Sequence, residues 1–185
     1  FNAFEQSLGK QHVLTSATDC LAYGFDNSSY RQNPAMVLLP TCTQHVIDAV
    51  KLARQFKLPL TARGRGTNTT GASIPVAQGA VISFERMNQI LRLAPEDRIA
   101  VVKPGVLNGD LQIALAKHKL FWPPDPSSAP FCSIGGNIAC NAGGPRAVDL
   151  PEGDQQVRAD VVGEHGHEVR DECVGGREPA QQPAR

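Results

Sequence analysis

Residues 59–75 have the sequence PLTARGRGTNTTGASIP, and this stretch decides the fold. Pro59–Arg63 predicts a short strand that runs into a glycine-rich loop, Arg63–Ala72, with three glycines and four hydroxyl or amide side chains. Glycine permits backbone turns that point successive N–H groups into one concavity, where a phosphate can bind. Because each hydrogen bond to a charged oxygen contributes on the order of 1.5–3 kcal/mol, such a loop could hold a pyrophosphate without a lysine. The alternative is a tight surface connection between two strands.

The spacing of the glycines excludes two common nucleotide-binding loops. Gly64, Gly66 and Gly71 do not fit G-x-G-x-x-G, because Thr69 occupies the third glycine position. Ala72 stands where a P-loop has its lysine. The sequence therefore predicts a phosphate-binding loop of another kind.

The residues before this loop predict a strand-helix-strand unit with parallel strands. Ala35–Pro40 is an apolar run that ends at a proline, which is typical of a buried strand. Thr41 and Thr43 are candidate N-caps of the helix that follows, and Thr41 with Gln44 fits a capping box. The apolar stripe of this helix comprises Val46, Val50, Ala53 and Phe56.

Two further strands and a second helix are predicted after the loop. The strands are Ala80–Phe84 and Ile99–Val102, and a tight turn, Pro104-Gly105-Val106, follows the second of them. Asn108 is the candidate N-cap of the helix. Its apolar face comprises Leu111, Ala114, Leu115 and His118.

A second glycine-rich loop, DPSSAPFCSIGGNIACNAGGP, occupies Asp125–Pro145. Its small residues leave backbone exposed, against which a flat or extended ligand can lie. The alternative is a flexible linker, but Ile134 and Ile138 favour a packed segment. Two loops of this kind in one short chain predict a long, dinucleotide-like ligand rather than a single phosphate.

Composition excludes several classes of function. The 185 residues carry 18 Lys and Arg against 18 Asp and Glu, so charge gives no reason to expect nucleic acid or an anionic membrane surface as a partner. The five cysteines do not form C-x-x-C, which favours a reduced, cytoplasmic setting over a disulfide framework. There is no apolar run long enough for a transmembrane segment. We expect no metal site, because the spacing of His165, His167 and Cys173 fits no common ligand motif.

In its two glycine-rich loops and the segments around them, the chain resembles the FAD-binding domain of the p-cresol methylhydroxylase and vanillyl-alcohol oxidase superfamily. Within that superfamily it is most similar to the glycolate oxidase D subunit and to D-lactate and D-2-hydroxyglutarate dehydrogenases. The matching stretches cover roughly residues 20–148 in the family's order. They are PAMVLLPTCTQHV, PLTARGRGTNTTGASIP, AVISFERMNQIL, VVKPGVLNGDL and WPPDPSSAPFCSIGGNIACNAGGP.

The resemblance implies an α+β domain of two lobes with FAD stretched between them. The first loop would cradle the pyrophosphate, and the turn after Lys103 and the second loop would lie along the cofactor. Because residues 64–72 contain no histidine for a covalent bond, we expect non-covalent FAD. The implied cofactor-binding residues are Arg63, Gly64, Arg65, Gly66, Thr67, Asn68, Thr69, Thr70, Gly71, Ala72, Pro104, Gly105, Val106, Pro124, Asp125, Ser127, Ser128, Ser133, Gly135, Gly136, Asn137, Ala139, Asn141, Ala142 and Gly143.

The reaction implied by the resemblance is the oxidation of a small 2-hydroxy acid to a 2-oxo acid by hydride transfer to flavin N5. Catalytic residues, electron acceptor and partner subunits are not identified by the sequence. We expect a leading segment at 1–34, an FAD-binding domain at 35–148 and a divergent, partly disordered tail at 149–185, with one hairpin at Asp160–Arg170. The family's C-terminal substrate domain would be missing, so a truncated or frameshifted product is one hypothesis.

Two alternatives stay open at this point. One is a non-catalytic remnant that binds FAD without turnover. The other is a different branch of the same fold, such as the cell-wall enolpyruvyl reductases or the FAD subunits of molybdenum hydroxylases, which the second loop resembles less closely.

Overall fold

The computed structural model describes residues 1–144 and 157–161. These described residues fold as a mixture of helices and strands around two sheets. Its elements, in chain order, are α1 (Asn2–Leu8), β1 (Val13–Leu14), α2 (Ala17–Cys20), β2 (Met36–Leu38), α3 (Thr43–Gln55), β3 (Leu60–Arg63), β4 (Ala80–Ser83), β5 (Ile90–Ala94), β6 (Ile99–Val102), α4 (Asn108–Ala116), α5 (Ile134–Ala139) and β7 (Arg158–Val161).

The first sheet has the strand order β1-β2-β4-β3. Both β2 and β3 run parallel to β4, which confirms the predicted strand-helix-strand unit, and β1 adds antiparallel to β2. The central strand, β4, is buried along its whole length because it consists of AVIS and has a neighbour on each side. One face of the sheet packs against α1 and α3 through a core of Phe4, Leu8, Val13, Met36, Leu38, Ala49, Ala53, Ala80 and Ile82.

The capping box predicted for α3 is wrong. The N-cap residue is Cys42, and no side chain accepts a hydrogen bond there. The Thr41 hydroxyl instead lies 3.3 Å from Nδ1 of His45, while Gln44 donates to Oδ1 of Asp48 at 2.8 Å. Both side chains of the expected box are thus engaged elsewhere.

The predicted apolar stripe of α3 is also only partly correct. Ala49 and Ala53 form the fully buried part of the helix, whereas Val50 is 50% and Phe56 54% exposed. Small alanines face the sheet because they allow the helix backbone to approach it closely. The centroid of the Phe56 ring lies 6.3 Å from the centroid of the Phe4 ring, at the rim of the core.

The second sheet has the order β5-β6-β7. The strand β6 was predicted, pairs antiparallel with β5 and is parallel to β7. Asn108 does not cap α4, since the N-cap residue is Leu107 and the Asn108 amide donates to the Pro124 carbonyl at 2.9 Å. The core of this sheet comprises Ala100, Val102, Val106, Leu111, Leu115, Trp122, Ile134, Val157 and Ala159.

The two sheets meet at the turn that follows β6. The Gly105 amide donates to the Met87 carbonyl at 2.7 Å, and a Cβ at Gly105 would overlap the Phe84 carbonyl oxygen. Lys103 reaches the Thr41 carbonyl at 3.4 Å. Residue 105 must therefore be glycine, because any side chain there would push the turn away from the Phe84 carbonyl and separate the two sheets.

None of the helices within residues 1–144 and 157–161 has the length and apolar character needed to cross a bilayer. In the same residues, no three His, Cys, Asp or Glu side chains are grouped to hold a metal ion. His165, His167, Cys173 and all of the predicted hairpin after Val161 lie outside the described residues, as does most of the predicted tail.

Candidate functional site

The first glycine loop begins at Arg63, whose side chain is buried beneath it. The guanidinium donates from Nη1 to the Phe25 carbonyl at 2.7 Å and from Nη2 to the Ala22 carbonyl at 3.3 Å. It also lies 5.8 Å from the centre of the Tyr23 ring. Burial lowers the pKa of Arg63, and nearby Asp26 partly offsets this, but a guanidinium remains charged in a protein. The Arg63 side chain thus supports the loop from below.

The loop is shaped internally by Asn68. Its Oδ1 accepts from the backbone amides of Thr70 at 3.2 Å and Ala72 at 3.1 Å, and from the Thr70 hydroxyl at 3.2 Å. Its Nδ2 donates to the Ser73 hydroxyl at 2.9 Å. The amides of Thr70 and Ala72 are therefore occupied, and the Asn68 side chain is committed to holding the turn.

Several successive backbone amides remain available in the middle of the loop, among them those of Gly66, Thr67 and Asn68. The backbone N–H groups of Gly66, Thr67 and Asn68 donate to no acceptor among the described residues. Gly66 has φ +65°, and the Arg63 guanidinium occupies the space that a Cβ would need there. Adjacent unpaired amides at a glycine turn form a site for an anionic oxygen.

The two glycine loops meet at Gly64. A Cβ built on Gly64 would lie 2.5 Å from the Ser133 hydroxyl oxygen and 3.5 Å from the Cα of Gly136. Ser133 is 1% exposed and caps α5, because its hydroxyl accepts from the Gly136 amide at 3.2 Å. The two glycine-rich loops therefore lie in direct contact at Gly64, whose backbone faces the Ser133 hydroxyl and the Gly136 backbone.

The turn after β6 joins the same junction. The Ile134 amide donates to the Val106 carbonyl at 2.8 Å, and the Gly135 amide donates to the Pro104 carbonyl at 2.9 Å. A Cβ at Gly135 would lie 2.7 Å from that of Pro104. The first amides of α5 are thus used within the protein, and Gly135 serves close packing rather than ligand binding through its N–H.

Asn137 presents a buried donor at this junction. The residue is 3% exposed, and its Nδ2 has no hydrogen-bond partner in the part of the chain that the structure describes. It lies beside the Cys132 sulfur, but a neutral thiol is only a weak acceptor. Burial raises the pKa of Cys132, so the thiol stays protonated. A buried amide without a good acceptor costs free energy, which favours a ligand acceptor at this position.

The two ends of the second loop are held together. The Asp125 amide donates to the Gly143 carbonyl at 3.2 Å, and Gly144, with φ +143°, leaves no room for a Cβ against the Asp125 carbonyl. Ser128 lies within the loop, where its carbonyl accepts from the Cys132 amide at 2.9 Å. The implied site residues that are solvent exposed are Arg65, Thr69, Thr70, Ala72, Ser127, Ala139, Asn141 and Gly143, whereas Pro124 is buried and Ala142 half-buried.

Sequence reasoning missed the residues that support the first loop from the N-terminal segment. Buried Asp26 accepts from the Ser73 hydroxyl at 3.3 Å, and Asn27 binds the carbonyls of Thr67 and Asn68 through its side chain and its amide. The Tyr30 ring fills the space beside Gly71, which has φ +78°. The polar run Asp26–Ser29 looks like an ordinary turn, and only the close approach to residues about forty positions later gives it a role.

The sequence of this chain is similar to those of known proteins. The family model described as "FAD binding domain" matches residues 34–171. The chain is 38% identical over 133 residues to the glycolate oxidase subunit GlcD of Escherichia coli (strain K12), covering 71% of this chain and 27% of that protein. It is 36% identical over 132 residues to a D-lactate dehydrogenase of Anaerostipes hadrus, covering 71% and 28%.

The fold matches solved structures as well. The structure of p-cresol methylhydroxylase with substrate bound superposes with a TM-score of 0.64 and 25% identity, over 74% of this chain and 28% of that one. This confirms the predicted α+β fold of p-cresol methylhydroxylase type. The chain spans less than a third of the length of these two curated relatives.

Proposed function

This chain belongs to the family of FAD-binding domains, and from that premise we propose that it holds FAD non-covalently across the junction of its two glycine loops. We propose also that it forms the cofactor-binding portion of a 2-hydroxy-acid dehydrogenase. The relatives are flavin-linked oxidoreductases by name or family, and two of them are named for glycolate and D-lactate. We further propose that residues 35–148 are the FAD-binding unit, with residues 1–34 packed on it.

The observation that carries the proposal is the arrangement of the first loop against α5. Three unpaired amides, those of Gly66, Thr67 and Asn68, lie in a loop that touches Ser133 and Gly136 of the second loop. A pyrophosphate offers oxygens for several such amides at once. The lack of a Cβ at Gly64 and Gly136 lets Ser133 pack between the two loops, and this close approach brings both loops within reach of one extended ligand.

The buried Asn137 amide gives the second point of contact. Its Nδ2 lacks an acceptor among the residues described, and a flavin ring or a ribityl chain carries carbonyl or hydroxyl oxygens. In this proposal the amides of the first loop bind the pyrophosphate, and Asn137 and the Gly135-Gly136 backbone face the flavin side. The exposed residues Ala139 and Asn141 would lie at the edge of that site.

Bound FAD would supply the oxidant: the carbinol carbon of the 2-hydroxy acid gives up a hydride, its hydroxyl proton leaves to a base, and a 2-oxo acid results. This chain's own residues would bind and orient the cofactor. The groups that clamp the substrate and take its proton are not assigned to any residue here.

The test is a titration of the purified chain with FAD, followed by flavin absorbance and fluorescence. We expect a yellow protein whose flavin fluorescence changes on binding and whose flavin is released by denaturation, since residues 64–72 contain no histidine. A chain that takes up no FAD would overturn the proposal, and flavin that stays attached after denaturation would overturn its non-covalent part.

The reaction needs a separate measurement. Anaerobic addition of glycolate, D-lactate or D-2-hydroxyglutarate to the FAD-loaded protein should bleach the flavin absorbance if the proposed substrate class is right. Binding without any bleaching, in this chain and in a longer form that includes further sequence, would favour a protein that holds FAD without turnover.

A further inference from the structure

We propose that Ser73 is a positioning residue for the cofactor: its hydroxyl connects buried Asp26 to Arg63 and Asn68 and thereby fixes the shape of the first loop. This inference rests on the proposed function, because its consequence is measured on ligands that contain a pyrophosphate. Ser73 lies one residue beyond the predicted loop and is 4% exposed.

The Ser73 hydroxyl uses its complete hydrogen-bonding capacity. It donates to Oδ2 of Asp26 at 3.3 Å, and it accepts from Nδ2 of Asn68 at 2.9 Å and from Nη1 of Arg63 at 3.5 Å. A hydroxyl has one hydrogen and two lone pairs, so no capacity is left for solvent or ligand. One buried hydroxyl therefore joins three polar side chains.

These three side chains come from separate parts of the fold. Arg63 ends β3 and supports Gly66, Asn68 shapes the later half of the loop, and Asp26 belongs to the N-terminal segment. Asp26 is itself fixed, because its Oδ1 accepts from the amide of Ser28 at 2.8 Å. The N-terminal segment thus anchors the loop at both ends of its unpaired amides.

The unpaired amides of residues 66–68 lie in the stretch from Arg63 to Asn68, and Ser73 binds the side chains of both of these residues. Since the cost of ordering a loop on binding reduces affinity, a loop that is already fixed binds its ligand more tightly. Removal of the Ser73 hydroxyl leaves Asn68 and Arg63 each without one acceptor and loosens the loop. We expect the affinity to fall for ligands that contain the pyrophosphate and to stay the same for ligands that contain only the flavin.

The experiment compares Ser73→Ala with Ser83→Ala. Ser83 is a control because it is also buried and also donates its hydroxyl to a carboxylate, Oε2 of Glu85, at 3.2 Å. It pairs with Arg63 in the sheet, but its hydroxyl does not bind the side chains of Arg63, Asn68 or Asp26 that Ser73 connects. For each purified full chain we would measure the Kd for FAD, for ADP and for riboflavin, together with the free energy of unfolding. ADP contains the pyrophosphate without the flavin, and riboflavin the reverse.

We expect Ser73→Ala to raise the Kd for FAD and ADP about tenfold while riboflavin binding stays unchanged, with little change in any Kd for Ser83→Ala. Ser73→Thr, which restores the hydroxyl, should recover much of the ADP affinity. Asp26→Asn weakens the same connection from its other end at nearly constant volume, because one of the two carboxylate acceptors becomes a donor. It replaces Ser73→Ala if that variant does not fold.

Two results would overturn the inference. One is an unchanged ADP affinity in Ser73→Ala and Asp26→Asn despite normal FAD binding by the wild type; the other is an equal loss in both serine variants, which would mark a general effect of stability. If the wild type binds neither FAD nor ADP, the proposed function fails and this inference fails with it.

Discussion

Gly64 and Ser133 are in contact across the two glycine loops, so close that a Cβ on Gly64 would lie 2.5 Å from the Ser133 hydroxyl oxygen. The contact joins the end of β3 in the first sheet to the N-cap of α5 beside the second. A ligand that binds both loops therefore depends on the absence of a side chain at residue 64.

Gly64→Ala should separate the loops and weaken FAD binding. Ser133 is buried and cannot withdraw freely, so we expect about 1–3 kcal/mol of destabilisation and a rise in the Kd for FAD of tenfold or more. Gly109→Ala is the control, because a Cβ in that helix meets no atom closer than 3.5 Å. Flavin fluorescence titration measures the Kd for FAD of the two variants and of the wild type. If Gly64→Ala bound FAD as tightly as Gly109→Ala, the proposed junction would be contradicted.

Asn137→Ala should change apo stability and FAD affinity in different ways. Its unpaired Nδ2 costs about 1–3 kcal/mol in the free protein, which offsets the packing lost on truncation, so the free energy of unfolding should change little. The Kd for FAD should rise about tenfold if the amide binds the cofactor.

Asn108→Ala provides the comparison for that variant. Asn108 is also fully buried and also has one polar atom, Oδ1, without a partner among the described residues, but its Nδ2 donates to the Pro124 carbonyl. Its removal leaves that buried acceptor unpaired and should therefore destabilise the protein more than Asn137→Ala does. Urea unfolding and FAD titration of both variants test the contrast. A large loss of apo stability in Asn137→Ala would show that its amide already has a good partner.

The Asp26 carboxylate should stabilise the fold at neutral pH and cease to do so in acid. Burial raises its pKa, but hydrogen bonds from Ser28 and Ser73 outweigh this and hold the pKa of Asp26 below its usual 3.8. A lowered folded-state pKa gives stability that is present above 3.8 and is lost as pH falls through the folded value. The gap in unfolding free energy between wild type and Asp26→Asn should therefore narrow below pH 3.8; a constant gap would refute the assignment.

The contribution of Tyr23 to the free energy of unfolding should decrease as the pH rises, whereas that of Asp26 decreases as the pH falls. Burial, and then the neighbouring Glu85 carboxylate that accepts from its hydroxyl at 3.0 Å, raise the pKa of Tyr23 from 10.0 to about 12. Because the unfolded phenol ionises first, the stabilising contribution is complete below pH 10.0 and declines towards about 12. Unfolding free energies of Tyr23→Phe should fall less steeply than those of the wild type across this window. Parallel curves would contradict the shift.

Four of the strands could be predicted from the sequence, because each is a short run with several apolar residues that ends at proline, glycine or a polar residue; one of them, Ala80–Phe84, matches β4. The strands β1 and β5 were not predicted. Ala35–Pro40, Pro59–Arg63 and Ile99–Val102 match β2, β3 and β6 closely. The helix caps could not, since Thr41 and Asn108 have suitable side chains that bind His45 and Pro124 instead. A cap depends on competition between partners that local sequence does not contain.

The same limit applies to the site. The two glycine loops could be identified from their own residues, since a run of small residues suggests close approach of a ligand wherever it occurs. The supports of the first loop could not, because Asp26 and Ser73 are 47 residues apart and neither is unusual by itself. Buried polar networks of this kind are determined by tertiary contacts alone.

The pairing of β6 with β7 sets an order for folding during synthesis on the ribosome. All strands of the first sheet have been translated by Ser83, whereas β6 keeps one edge without a neighbour until Arg158–Val161 emerge. The first sheet of a nascent chain can therefore fold early, while one edge of β6 in the second sheet stays unpaired. Until β7 emerges, that edge can associate with a strand edge of another nascent chain instead.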